Sequence, residues 1–119
     1  MVKILFVCYG NICRSTMAEF MMKKLVREKG LENEIFVASA ATSPYEAGMS
    51  VHRGTRQILD REGITDYHDK RSVTLRKTDY EKYDYVIGMD EENLCLGCLN
   101  EDYPTEIPEG LEAETYYKP

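Results

Sequence analysis

The run VCYGNICRST, residues 7–16, constrains the fold more than any other part of the chain. It follows directly on the apolar stretch Ile4-Leu5-Phe6-Val7, and Tyr9-Gly10-Asn11 supplies a turn signal. An apolar run of this length closed by a turn reads as a buried strand, here Met1 to Cys8. From Ser15 onward Met17, Phe20, Met21 and Leu25 recur at helical spacing, and Gly30 marks a stop. Ser15 or Thr16 with Glu19 has the form of a capping box. A strand, a short loop and a helix are thus expected within the first thirty residues.

The pattern then repeats. EIFVAS (Glu34–Ser39) reads as a second strand, and residues 40–50, with Pro44 and Gly48, as a loop. His52–Glu62, ending at Gly63, reads as a second helix. A short helix begins at Thr74 or Thr78-Asp79 and runs through Lys82. DYVIGM (Asp84–Met89) reads as a third strand. Strands alternating with helices predict an α/β fold, with a parallel sheet flanked by helices. No internal repeat is seen, so residues 1–119 read as a single domain.

Composition narrows the class. With 43% hydrophobic and 30% charged residues the chain is globular in character, and no apolar run approaches the roughly 18 residues of a membrane span. A signal peptide is not expected, because the first apolar run is short and no small-residue cleavage site follows it. That makes a cytoplasmic location the expectation, with no membrane partner. Residues 1–90 hold 14 basic and 13 acidic residues, whereas residues 91–119 hold 1 basic and 8 acidic. The net charge of −6 therefore comes from the tail, and no basic footprint for nucleic acid is present. Residues 95–119, with Gly97, Pro104, Pro108 and Gly110, read as a divergent acidic tail in loop or weakly ordered form; Leu94, Leu96 and Leu99 could close a short helix.

The four cysteines are Cys8, Cys13, Cys95 and Cys98. Without signs of secretion, reduced thiols with chemical roles are expected over disulfides. Cys95 and Cys98 have CxxC spacing, but no second pair or His pair accompanies them, and Cys8 with Cys13 is wrongly spaced for zinc. No metal and no cofactor are expected.

The chemistry is expected in the loop. Cys8, then five residues, then Arg14-Ser15 places a thiol, a turn of backbone amides, a guanidinium and a hydroxyl between a strand end and a helix start. Such a loop turns N–H groups inward, and the helix N-terminus adds to the anion cradle. Arg14 can hold a tetrahedral oxyanion through two parallel hydrogen bonds. Cations and inward amides favour a thiolate over a thiol, so Cys8 is expected to be a nucleophile aimed at phosphorus. Ser15 is placed to hydrogen-bond the sulfur and ease its departure.

Over about residues 1–94 the chain resembles the low-molecular-weight protein tyrosine phosphatases. CYGNICRSTMAE resembles their phosphate-binding loop and following helix, SAATS (Ser39–Ser43) their second-strand exit, HDKRSVT (His68–Thr74) their His-x-x-Arg segment, and YDYVIGMDEENL their third strand and Met-Asp-x-x-Asn. The resemblance implies a Rossmann-like parallel sheet and hydrolysis of protein phosphotyrosine through a phosphocysteine on Cys8. Arg14 would bind phosphate and stabilise the transition state. The loop Tyr9, Gly10, Asn11, Ile12, Cys13 and Arg14 would bind phosphate, and Asn11, Ser15, Ser39 and His68 would hold that loop rigid. Cys13 would match a second loop cysteine able to form a reversible disulfide with the nucleophile. Ile12 would favour phosphotyrosine over phosphoarginine, and Tyr45 would line the substrate cleft.

The sequence also departs from that pattern. Tyr9 stands where the family usually has Leu, and Thr16 where it usually has Pro. After residue 94 the family's fourth strand, Asp-Pro general acid and last helix have no counterpart signature. A general acid typically contributes about 100- to 10,000-fold. Glu114 in Glu114-Thr115-Tyr116-Tyr117 is the nearest echo, with Asp102-Tyr103-Pro104 behind it. A disrupted gene or frame would account for the break. Strand order 2-1-3-4 without the fourth strand would leave the Asp84–Met89 edge open, so dimerisation through that edge, strand exchange or low stability is expected. Two other functions fit the loop: a thioredoxin-coupled arsenate reductase using Cys95 and Cys98, or a non-catalytic phosphate- or phosphotyrosine-binding protein.

Overall fold

The computed structural model describes residues 1–89. The acidic tail, the Leu94–Leu99 helix, Cys95, Cys98, Asp102-Tyr103-Pro104 and Glu114 lie outside the described residues, as does the stretch that decides whether the outer edge of the Asp84–Met89 strand is paired.

Six elements follow in order: β1 (Val2–Cys8), α1 (Arg14–Glu28), β2 (Ile35–Ala41), α2 (Arg53–Arg61), α3 (Lys77–Lys82) and β3 (Tyr85–Gly88). The strands form one parallel sheet in the order β2-β1-β3. β1 is central and pairs Val7 with Ala40 on one side and Gly88 on the other. A strand with neighbours on both sides and cover on both faces is apolar along its length, which is why Leu5 and Val7 are fully buried.

Side chains alternate between the sheet faces. On one face Leu5, Val7, Ala40 and Val86 pack with Leu75, Tyr80 and Tyr83 from around α3, and Phe36 stacks on Tyr83. On the other face Ser39 reaches Glu19 of α1. The polar group on that face is explained by α1's inward stripe. It begins with Ser15, Thr16 and Glu19 beside the loop and turns apolar only at Phe20 and Val26. Phe20 and Met17 then pack with Val51, Leu59, Ile64 and Tyr67, which joins α1 to α2.

Two expectations need correction. β2 runs two residues past Ser39, because Ala40 and Ala41 pair with Val7 and Cys8 despite their low strand propensity. The capping box at α1 does not form. Cys13 occupies the N-cap without a side-chain cap bond, Ser15 turns to Cys8 and Asn11, and Glu19 turns to Ser39. The first turn is thereby left to serve the loop. α2 does gain a cap, as His52 Nδ1 accepts from the Gly54 amide at 3.0 Å.

Candidate active site

Cys8 ends β1, and its side chain lies on the floor of a cavity of about 150 Å³ lined by residues 8–14 and Glu46. The residue is only 3% exposed. The loop above it is held by its carbonyls. Thr42 N donates to Cys8 O at 2.9 Å, Ser43 N to Tyr9 O at 3.1 Å, His52 N to Ile12 O at 2.7 Å and Met17 N to Cys13 O at 2.9 Å. The Ser72 hydroxyl donates to Gly10 O at 2.7 Å. In a trans peptide the N–H points opposite to the C=O. Outward carbonyls therefore turn the following amides towards the cavity, the arrangement of an anion nest. One of them, Asn11 N–H, donates to Cys8 Sγ at 3.2 Å.

Asn11 is the hinge of this loop. Its φ of +55° is the left-handed region, which a non-glycine residue adopts at some cost and Asn tolerates better than most. Its side chain is buried and fully used. Nδ2 donates to Ser15 Oγ and to Ser39 Oγ, both at 2.8 Å, and Oδ1 accepts from Val73 N at 3.1 Å. Ser15 Oγ lies 2.9 Å from Cys8 Sγ. Because Ser15 already accepts from Asn11, its own proton is available to the sulfur.

Arg14 opens α1 at the loop's end, exposed, and it lines the same cavity. Tyr9 is half-exposed and lines the cavity too. Cys13, exposed at the N-cap, is a free thiol, as is Cys8. Tyr45 is 83% exposed and lies outside the cavity lining.

The His68–Thr74 segment supports the loop, but not through His68. His68 is exposed, its ring packs on Tyr67 with centroids 4.3 Å apart, and its carbonyl accepts from Arg71. The groups that reach the site are Ser72, the Val73 amide and Lys70. Lys70 Nζ donates to Ser39 O at 2.9 Å and lies 3.4 Å from Glu19 Oε1. Burial, the largest influence, lowers the Lys70 ammonium below its ordinary value, while Glu19 pulls it back up.

Glu46 and Lys70 are the residues that sequence reasoning passed over. Glu46 packs so closely on Gly10 that a Cβ there would sit 2.9 Å from Glu46 Oε2. That oxygen is buried, without a hydrogen-bond partner among the described residues. In sequence, Tyr45-Glu46-Ala47 carries no signal beyond a loop.

A strand-end thiol followed by a Cys-x5-Arg loop and a helix start on a parallel sheet defines the class: an α/β protein with a cysteine–arginine loop at the end of its central strand. A family model for the low molecular weight phosphotyrosine protein phosphatases matches residues 3–104, and the chain belongs to that family. It is 43% identical over 94 residues to the low molecular weight protein-tyrosine-phosphatase YfkJ of Bacillus subtilis, covering 79% of this chain and 60% of that relative. It is 45% identical over 91 residues to the Gallus gallus low molecular weight phosphotyrosine protein phosphatase, covering 76% and 56%. The crystal structure of YfkJ superposes with a TM-score of 0.82 at 38% identity, covering 94% of this chain and 69% of that one. The chain thus spans a little under two thirds of the length of the curated relatives it matches.

Proposed function

We propose that the chain hydrolyses protein phosphotyrosine through a phosphocysteine on Cys8. The observation that carries this reading is Cys8 Sγ at the floor of an amide-lined loop, within hydrogen-bond reach of Asn11 N–H and the Ser15 hydroxyl. A thiolate there attacks phosphorus, the S–P bond forms, and the P–O bond to the aryl group breaks. The electron pair leaves with the aryl oxygen, which takes a proton from an acid or from water. Water then attacks the phosphocysteine, the S–P bond breaks, and inorganic phosphate leaves while the sulfur regains its charge. Arg14 and the loop amides neutralise the equatorial oxygens in both steps. The Ser15 proton stabilises the departing sulfur. Tyr9, at the cavity wall, offers a ring face to the aryl group of the substrate. A reduced Cys8 needs a reducing compartment, so a cytoplasmic location goes with this reading.

The test compares an activated aryl phosphate with phosphotyrosine on wild type, Cys8→Ser and Arg14→Ala. The activated ester needs no acid for its leaving group, so it isolates the nucleophile and the cradle. Expected are turnover by wild type, none by Cys8→Ser, and a fall of about 100-fold or more in kcat for Arg14→Ala. Full activity in Cys8→Ser overturns the reading. Phosphate binding by wild type without any burst of aryl product would instead support a non-catalytic binding protein.

A further inference from the structure

Lys70 differs from the lysines around it. Its side chain keeps 13% of its exposure, against 34% for Lys23 and 33% for Lys24. An ammonium is not buried without partners, and the two that Lys70 has among the described residues are both parts of the site's support. One is the Ser39 carbonyl near the end of β2. The other is Glu19, 4% exposed on α1.

From Glu19 a chain of hydrogen bonds runs to the nucleophile, and its direction is fixed as far as Ser15. A carboxylate only accepts, so the single hydroxyl proton of Ser39 goes to Glu19 Oε1. Ser39 Oγ is then an acceptor, and Asn11 Nδ2 donates to it. The second Nδ2 proton goes to Ser15 Oγ, and Val73 N–H on Oδ1 prevents the amide from flipping. Ser15 keeps its own proton, with Oγ 2.9 Å from Cys8 Sγ, and a sulfur anion there accepts it.

We propose that Lys70 is a positioning residue for the Cys8 chemistry: it fixes Glu19 and Ser39 together, so that this chain of bonds ends with the Ser15 proton on the sulfur. The proposal rests on the reading of Cys8 as the nucleophile. Among the described residues, the titratable groups that face Lys70 are Glu19 and Lys23 from α1 and Cys8 from the end of β1. Lys23 holds the other Glu19 oxygen, at 2.5 Å. With Lys70 removed, Lys23 alone pulls Glu19 towards the helix surface, and the Ser39 carbonyl loses its donor. The support that the family resemblance would place on His68 is thus supplied in this chain by the lysine two residues on.

The test is a cycle of four proteins: wild type, Lys70→Met, Glu19→Gln and the double variant. Each is alkylated with iodoacetamide at about pH 6 and about pH 9, with and without inorganic phosphate, and Cys8 modification is read by peptide mass spectrometry. A shift of about half a pH unit in the thiolate balance is a change of about threefold in rate below the midpoint. The expected result is that Lys70→Met lowers the ratio of the two rates by about threefold, that Glu19→Gln lowers it similarly, and that the double variant adds nothing further. An unchanged ratio in Lys70→Met overturns the proposal, even if its melting temperature falls, because that marks a structural role alone. Independent, multiplying effects overturn it as well. Wild-type Cys8 unprotected by phosphate would contradict the parent reading, and this inference with it; protection with an unchanged Lys70→Met ratio contradicts only the inference. Should Lys70→Met not fold, the ¹⁵N resonance of Lys70 is titrated in wild type and Cys8→Ser. Coupling is reciprocal, so Lys70 is expected to lose its proton at lower pH without the sulfur anion, and coincident titrations overturn the proposal.

Discussion

Asn11 Nδ2 and Ser39 Oγ are 2.8 Å apart across 28 residues of sequence, and that bond ties the loop after β1 to the end of β2. The Asn11 side chain holds three such ties, to Ser39, Ser15 and Val73. Asn11→Ala takes one donor from each of the buried Ser15 and Ser39 hydroxyls and the acceptor from the part-buried Val73 amide, at about 0.5–1.5 kcal/mol for each bond lost. It also puts alanine at a φ of +55°. Chemical denaturation is expected to show a loss of about 2 kcal/mol or more. A kcat lowered by about 10- to 100-fold should accompany it, since the amides and Ser15 lose their alignment.

Glu46 puts a carboxylate in the wall of the cavity proposed to bind phosphate. Because Oε2 has no hydrogen-bond partner among the described residues, Glu46→Gln sacrifices little and removes a like charge. Inorganic phosphate is expected to inhibit the variant about two- to fivefold more tightly, with a smaller gain at high salt. Weaker inhibition would mean that Glu46 orders the loop instead of opposing the ligand.

Tyr83 is buried between α3 and β3, where burial first, and then Asp79 and Glu19, push its phenol above the ordinary value of 10.0. The folded protein therefore holds that proton more tightly than the unfolded chain. Its contribution to stability is full below 10.0 and is lost as pH rises through the raised value. Lys70, lowered by burial, contributes with the opposite sign in the alkaline range, so wild type is compared with Tyr83→Phe to isolate the tyrosine. Urea unfolding at about pH 8 and about pH 11 is expected to show a smaller alkaline loss in Tyr83→Phe.

The framework of the fold was legible where periodicity and turn chemistry agree. Ile4 to Val7 read as a strand because both faces of β1 are covered, and Gly30 and Gly63 marked the ends of α1 and α2 at φ of +67° and +75°. The placement of Cys8, Asn11, Arg14 and Ser15 together was legible because their spacing falls between a strand end and a helix start. Illegible features were those set by tertiary contact. The Ser15/Thr16–Glu19 pattern has the letters of a capping box, yet Ser39 on β2 and Lys23 and Lys70 compete successfully for Glu19. Lys70 sits in the charged run Asp69-Lys70-Arg71, where nothing local separates a buried lysine from a solvated one. Only the packing of that segment against Gly10 and Ser39 makes the difference.

The central claim is that Cys8 is a nucleophile held ready by the cradle of residues 8–14, and the most direct measurement is the rate at which wild-type Cys8 is alkylated by iodoacetamide at about pH 6, with and without inorganic phosphate. Modification of Cys8 is expected to be at least about tenfold faster than that of the exposed Cys13, and slowed in proportion to phosphate occupancy. Modification of Cys8 no faster than that of Cys13, with no effect of phosphate at any concentration, would contradict it.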